Sequence, residues 1–370
     1  MQKQTILFFS NPFGYGPTTT LLHIAEKLSK KTKAKMIVAG DNKGLCKEVF
    51  NKNNHPYLSW HDLNERNLDE VKSFIASHDN PYVVSILNRF SIKAAQELGV
   101  KNALIDFLAW FWDKPSEEYS LADIYFYNSL GKKIEVKNRI SYDVPIILGE
   151  IPRRSHSKKK KIIINIGGSK NPLVKGIPKD YLNLLAKIIN KLKFGDADVY
   201  IGGGKEALTF LKSKLVKPEN FTIKSFPHEE FLKLHASCDC FITLSGTNAT
   251  FMSFTLGIPT TFLLPQLLAH WKLSFLIQDQ NVNEPLMWED YFNIDKKMYS
   301  LTEYDVVPYT EKLSRELIAD SKKFELVTDQ IQHDLDFDKD VKKQTDYMKR
   351  IGINGEDFVA NVLSREWGLI

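Results

Sequence analysis

The residues best suited to chemistry in this chain fall in a few short stretches, each placed directly after a run with the composition of a β-strand. Ser10-Asn11-Pro12-Phe13-Gly14-Tyr15-Gly16-Pro17-Thr18 follows the apolar run 5–9 and leads into a helical pattern. Glycines there permit a tight turn and bring amide groups close to a ligand, and hydroxyls at a helix start can hold a polar or anionic group. The same residues also suit a plain turn closed by a threonine cap. Asn165-Ile-Gly167-Gly168-Ser169-Lys170 joins small residues, a hydroxyl and a cation after the β-branched run 162–166, a combination that can cradle a diphosphate. It lacks the Gly-Lys-Ser/Thr ending of a P-loop. Tyr200-Ile-Gly202-Gly203-Gly204-Lys205 offers a third place where backbone can approach a ligand, or a simple strand-to-helix connection. Asp106-Phe-Leu-Ala-Trp110-Phe-Trp112-Asp113 sets two carboxylates beside two indoles. The acids can take a proton or orient a hydroxyl or ring nitrogen, and the indoles can stack on a flat or sugar-like molecule. An aromatic cluster that only packs a loop has the same composition.

These turns need a scaffold that repeats strand, turn and helix. Apolar runs at 5–9, 35–39, 82–86, 102–105 and 124–127 alternate with helical periods such as 19–29 and 92–98. The alternation restarts with runs at 162–166, 198–201, 221–224, 240–244 and 260–264 and a helical period at 181–192. That pattern predicts parallel sheets covered by helices, the α/β class, with ligands at the carboxyl ends of the strands. At 370 residues, two cores are expected. The segment Pro152-Arg-Arg-Ser-His-Ser-Lys-Lys-Lys-Lys161 between the two series carries no apolar period and marks the boundary. The expected domains are 1–150 and 151–340, followed by a C-terminal segment 341–370.

Composition removes several classes. Lys and Arg number 50 against 45 Asp and Glu, and the resulting +5 is too small for the basic footprint of a nucleic-acid binder. The cysteines are Cys46, Cys238 and Cys240, an odd and sparse set that cannot form a secreted disulfide framework. Cys238 and Cys240 fit as small buried side chains, and no metal is assigned to them. The start of the chain lacks the pattern of a signal peptide, and no run approaches the ~18 apolar residues of a membrane span, so a cytoplasmic protein is expected.

The most specific stretch runs from Ser225-Phe226-Pro-His228 through Ser245-Gly246-Thr247-Asn248-Ala-Thr250 to Gly257-Ile-Pro259 and Pro265-Gln266. Ser245-Gly246-Thr247-Asn248 would set free amides and hydroxyls at a helix N-terminus, where positive potential suits a diphosphate. In order and spacing the stretch resembles the donor-binding segment of GT-B glycosyltransferases that use nucleotide sugars, the UDP-glycosyltransferase-like enzymes. The resemblance implies two Rossmann-like domains facing each other across a cleft. It implies a nucleoside-diphosphate sugar, expected to be a UDP-sugar, as donor, a small-molecule acceptor, no cofactor and no metal, and an inverting transfer. By it, Phe226 borders the nucleobase, Gly168 and Ser169 face the phosphates opposite Ser245, Gly246, Thr247 and Asn248, Gln266 meets the donor sugar, and Gly203 is counted with the donor-binding residues. The tail that begins Gly352-Ile-Asn-Gly355 resembles the closing helices that return to the N-terminal domain.

Two positions depart from that family. The first turn has no histidine to act as general base, and Met252 stands where a glutamate often holds the donor ribose. The base is therefore sought among Asp106, Asp113 and Tyr15, with Asn11, Gly14, Gly16, Trp110 and Trp112 as acceptor contacts. Sugars, peptidoglycan or lipid intermediates, natural-product aglycones and free nucleobases all fit as acceptors. The indole-rich loop tilts the choice towards a planar polar one, as in the cytosylglucuronate synthase type. A nucleotide-sugar epimerase on the same fold and a catalytically silent nucleotide-sugar-binding protein are the alternatives, and a homodimer is left open.

Overall fold

The structure is a computed structural model that describes residues 4–11, 16–42, 45–51, 55–167, 176–216, 219–295, 298 and 300–369. Gly14, Tyr15, Gly168 and Ser169 lie outside the described residues. The chain divides into two compact units, residues 1–150 with 351–370, and residues 151–350.

In the first unit the strands are β1 (Thr5–Ser10), β2 (Lys35–Gly40), β3 (Leu58–Asp62), β4 (Tyr82–Ile86), β5 (Asn102–Asp106), β6 (Ile124–Tyr127) and β7 (Ile140–Asp143). They form one sheet in the order β3-β2-β1-β4-β5-β6-β7, and every pairing in it is parallel. The helices among these strands are α1 (Gly16–Ser29), α2 (Leu45–Asn51), α3 (Leu68–Ala76) and α4 (Arg89–Glu97). β1 is buried along its whole length because its alternating residues feed two cores. Ile6 and Phe8 pack with Leu21, Ile24 and Leu28 of α1, while Leu7 and Phe9 pack with Phe74 and Ile75 of α3 and Ala94 and Ala95 of α4. The edge strands β3 and β7 were not expected from the sequence. Leu-Ser-Trp-His-Asp and Ile-Ser-Tyr-Asp carry polar residues that only a one-sided, half-exposed strand tolerates.

In the second unit β8 (Lys161–Asn165), β9 (Asp198–Gly202), β10 (Phe221–Ile223), β11 (Cys240–Thr243) and β12 (Thr260–Phe262) form a parallel sheet in the order β10-β9-β8-β11-β12. The helices are α5 (Lys179–Lys191), α6 (Lys205–Lys212), α7 (His228–Ser237), α8 (Thr247–Thr255), α9 (Leu268–Asp279), α10 (Glu303–Ala319), α11 (Ser321–Asp334) and α12 (Lys342–Ile351), and α13 (Gly355–Glu366) follows. Cys238 and Cys240 are fully buried, Cys238 packing with Ile163, Phe241 and Ile258. No helix among the described residues is long and apolar enough to cross a membrane.

The last two helices serve different units. α12 lies on the second, where Tyr347 meets Phe251 at 6.1 Å between ring centroids and Arg350 donates to Gln280 at 2.7 Å. α13 is built into the first. Val359, Ala360 and Leu363 join the core around α1, Lys27 pairs with Asp357 at 2.7 Å, and Trp367 stacks on Tyr82 at 4.6 Å.

Candidate active site

In the second sheet the strand order reverses between β8 and β11. Open parallel sheets bind ligands at such a reversal, outside the carboxyl ends of the strands. Here the two strand ends are tied to each other. Asn165 Nδ2 donates to Thr243 Oγ1 at 3.2 Å, Leu244 N–H donates to the Asn165 carbonyl at 3.3 Å, and Asn165 Oδ1 accepts from Gly167 N–H at 3.2 Å. Gly167 takes a left-handed φ of 65°, which its lack of a Cβ permits, and its carbonyl accepts from Gly204 N–H at 3.0 Å. The turns after β8, β9 and β11 therefore form one backbone assembly.

Gly203 is a packing requirement of that assembly, since a Cβ there would stand 2.5 Å from Ile166 Cγ1 and 3.0 Å from the Gly167 carbonyl oxygen. Gly203→Ala is expected to destabilise the protein by about 1–3 kcal/mol through overpacking, read as a lower urea midpoint. An unchanged midpoint would mean that the two turns are not in contact.

α8 begins at this assembly with Gly246 as N-cap, no side-chain cap and no acidic residue in its first turn. α5 shows the contrast: its first amides, Asp180 and Tyr181 N–H, already donate to the Glu311 carboxylate at 3.0 and 2.9 Å. The first turn of α8 thus carries neither a capping side chain nor an acidic one at its positive end, with Thr247 half-buried and Asn248 exposed beside it.

Several residues expected at this site have other duties. The Ser245 hydroxyl is buried and shares a 2.6 Å hydrogen bond with Ser274 of α9, so its side chain faces the interior. Gln266 is 2 % exposed, and its carbonyl accepts from Thr310 Oγ1 at 3.2 Å. As placed, Ser245 can offer a ligand main-chain atoms only. Phe226 is half-buried, with its Cδ2 3.2 Å from where a Cβ on Gly202 would lie and Lys224 Nζ 5.1 Å from its ring centroid. Met252 lies on the buried face of α8. His235 is a packing residue: it stacks on Phe241 at 4.3 Å, shares a 2.6 Å hydrogen bond with Ser253, and burial holds its pKa down at about 3.

The first sheet reverses between β1 and β4. Leu87, just past β4, has a left-handed φ of 54°, and its carbonyl accepts from Asn11 Nδ2 and from the Tyr119 hydroxyl, each at 3.1 Å. Asn88 caps α4 through Ser91 N–H at 3.0 Å and donates to the Glu65 carbonyl at 3.2 Å. After β5 the chain enters the acidic, indole-bearing loop. Phe107 Cζ lies 3.7 Å from the position a Cβ on Gly16 would take, so the loop adjoins the start of α1. Asn11, Gly16 and this loop thus share one carboxyl edge.

Two expectations about the loop change. Asp106 has no exposed surface, and its oxygens accept from Leu108 N–H at 3.0 Å, Trp112 Nε1–H at 3.3 Å and the Tyr125 hydroxyl at 2.8 Å. Burial pushes its pKa up to about 6 against the lowering effect of those bonds. Trp110 is 3 % exposed and donates to the Phe107 carbonyl at 3.1 Å, so it fills the loop rather than offering a face. Trp112 is half-buried and Asp113 exposed. Tyr125, Thr243 and Asn88 were not singled out in the sequence, and Asn165 only as the first residue of its turn. Only Tyr125 leaves a signal there, since alternation in Ile-Tyr-Phe-Tyr puts Tyr125 and Tyr127 on one face of β6.

Two α/β units, each an all-parallel sheet with a strand-order reversal, define a GT-B fold. Among solved structures the chain is similar to MurG of Acinetobacter baumannii, with a TM-score of 0.60 and 11% identity over 98% of this chain and 99% of that one. It is similar to the spinosyn rhamnosyltransferase SpnG, with a TM-score of 0.56 and 12% identity over 98% and 100% of the two chains. It is also similar to Phytolacca americana UGT2, complexed with UDP-2-fluoro-glucose and pterostilbene, with a TM-score of 0.57 and 13% identity over 99% and 100%. At this identity the similarity establishes the fold. No protein-family model and no curated protein matches the sequence.

Proposed function

We propose that the chain is a glycosyltransferase that moves a sugar from a UDP-sugar to a small-molecule acceptor, without a bound metal and with inversion. The observation that carries this reading is the uncapped start of α8 beside the tied turns of β8, β9 and β11, at the strand-order reversal of the second sheet. Amides of Thr247 and Asn248, with the helix dipole behind them, would stabilise the charge that develops on a departing diphosphate, the task a metal performs in other transferases. Gly168 and Ser169, next in sequence after Gly167, would complete the cradle, and Phe226 would border the base. The fold supports the reading, since it is shared with a rhamnosyltransferase and with an enzyme holding UDP-2-fluoro-glucose.

The first unit would hold the acceptor at Asn11, Gly14, Gly16 and Trp112. A flat polar molecule such as a nucleobase, the cytosylglucuronate synthase type of acceptor, suits an indole wall. Asp113, at the exposed end of the loop, and Tyr15 are the proton acceptors this reading assigns.

UDP is expected to raise the thermal midpoint of the wild-type protein in a concentration-dependent way. Asn248→Asp separates an anion site from an ordinary helix start. A carboxylate at the second helical position stabilises the free protein by about 0.3–1 kcal/mol through the dipole. It also repels a diphosphate, weakening UDP binding roughly tenfold or more. A variant that gains stability and binds UDP as before would sink the assignment. A transferase incubated with a UDP-sugar alone returns it without isomerisation, which distinguishes it from an epimerase.

A further inference from the structure

We propose that Asp106 is the positioning residue of the acceptor wall: its carboxylate, buried at the end of β5, clasps the 107–113 loop and fixes Trp112 and Asp113 where an acceptor would meet them. What the loop faces rests on the transferase reading, while the clasp itself stands on geometry.

The loop leaves β5 and turns back on itself, and Asp106 supplies the acceptors that close the turn. Oδ1 takes Leu108 N–H at 3.0 Å and Trp112 Nε1–H at 3.3 Å, so one oxygen joins the first and last parts of the loop. Oδ2 takes the Tyr125 hydroxyl at 2.8 Å. Tyr125 stands on β6, which pairs with β5, and thus anchors the carboxylate to the sheet. Inside the turn, Phe111 N–H donates to the Leu108 carbonyl at 2.8 Å and Trp110 Nε1–H to the Phe107 carbonyl at 3.1 Å.

These three partners of Asp106 are neutral donors, which a carboxylate with two acceptor oxygens can satisfy together. A group that took a proton from a substrate would need an oxygen at the surface, and Asp106 has none. Trp112 is only half-buried at the other end of the same bond. The clasp therefore converts an interior carboxylate into a fixed orientation of a surface indole. Without it, the indole could leave the wall.

Amide hydrogen exchange on the full chain at pH 8 tests the clasp with no substrate. Asp106→Ala is expected to speed exchange in 107–113 roughly tenfold or more and to shift Trp112 emission to the red, while amides of β1 and β4 keep their rates. Asp106→Asn is expected to restore most of the protection, because Oδ1 can still accept from Leu108 and Trp112. Tyr125→Phe, which leaves the carboxylate but removes one anchor, should fall between. Unchanged exchange in Asp106→Ala overturns the proposal. So does equal loosening in the Ala and Asn variants, or loosening spread evenly through β1 and β4. The UDP-induced thermal shift of the wild type is read alongside, and its absence would remove the transferase reading while leaving the exchange result to decide the clasp.

Discussion

Replacing Gly355 with alanine is expected to destabilise the first unit by about 2 kcal/mol net, although helix propensity alone favours the change. Gly355 is the first residue of α13, where alanine gains up to about 1 kcal/mol over glycine. Against this, an alanine Cβ would lie 2.1 Å from the Pro145 carbonyl oxygen and 2.8 Å from Ile147 Cγ1. That oxygen belongs to a backbone held on both sides, because Ile146 N–H donates to the Gly352 carbonyl at 3.1 Å and its own carbonyl accepts from Gly355 N–H at 3.0 Å. The clash can be relieved only by moving the helix, and overpacking of this kind typically costs 1–3 kcal/mol, about three times the propensity gain at its upper end. A guanidinium titration should show the lower midpoint, and exchange should quicken at Val359, Ala360 and Leu363, which α13 contributes to the core around α1. Gly99→Ala serves as the comparison. Gly99 has a left-handed φ of 67° with nothing within 4 Å of the added Cβ, so it carries backbone strain alone, about 1–2 kcal/mol. A Gly355→Ala protein as stable as the wild type would mean that α13 is not seated on residues 145–147.

The second large effect is a pH dependence that belongs to Asp106. Its carboxyl titrates at about 6 in the folded protein against an ordinary 3.8, and burial is the main cause. The folded state thus binds this proton more tightly than the unfolded chain does. The stability it contributes is fully present below pH 3.8, and is lost as pH rises through about 6, a total of about 3 kcal/mol. Other carboxylates titrate in the same range, so the wild type is best compared with Asp106→Asn by urea unfolding at several pH values. On going from pH 7 to pH 5 the wild type should gain about 1 kcal/mol relative to the variant, and approach the full difference near pH 4. Parallel curves would show that Asp106 is not a buried acid. This global gain is compatible with a weaker clasp at low pH: protonation removes the cost of burying a charge while turning one accepting oxygen into a donor.

Much of the fold is legible residue by residue. β1 could be read because a strand buried on both faces must be apolar throughout, and Thr5–Ser10 nearly is. The same holds for β8, whose isoleucines fill the middle of the second sheet. The glycine turns were legible as well, since a turn that carries backbone to a ligand and a turn that merely reverses the chain need the same residues. That is also why their duties were not. Gly203 proves to be demanded by Ile166 and Gly167, whereas Gly246 has nothing nearer than the Leu244 carbonyl at 4.0 Å from an added Cβ, so its small size leaves space at the start of α8.

The sequence by itself determined the α/β class, the alternation that builds two parallel sheets, and the placing of candidate groups at the carboxyl ends of strands. Those follow from local periodicity, which a strand or a helix imposes on its own residues. Tertiary structure alone decided which of these groups face outward. Asp106 is interior because Tyr125, 19 residues away, stands on the neighbouring strand. Ser245 turns inward to Ser274, 29 residues on, and Gly355 is fixed by Pro145, which is far from it in sequence. Burial and hydrogen-bond partners are set by packing between elements distant in sequence, and no local pattern of residue types records them.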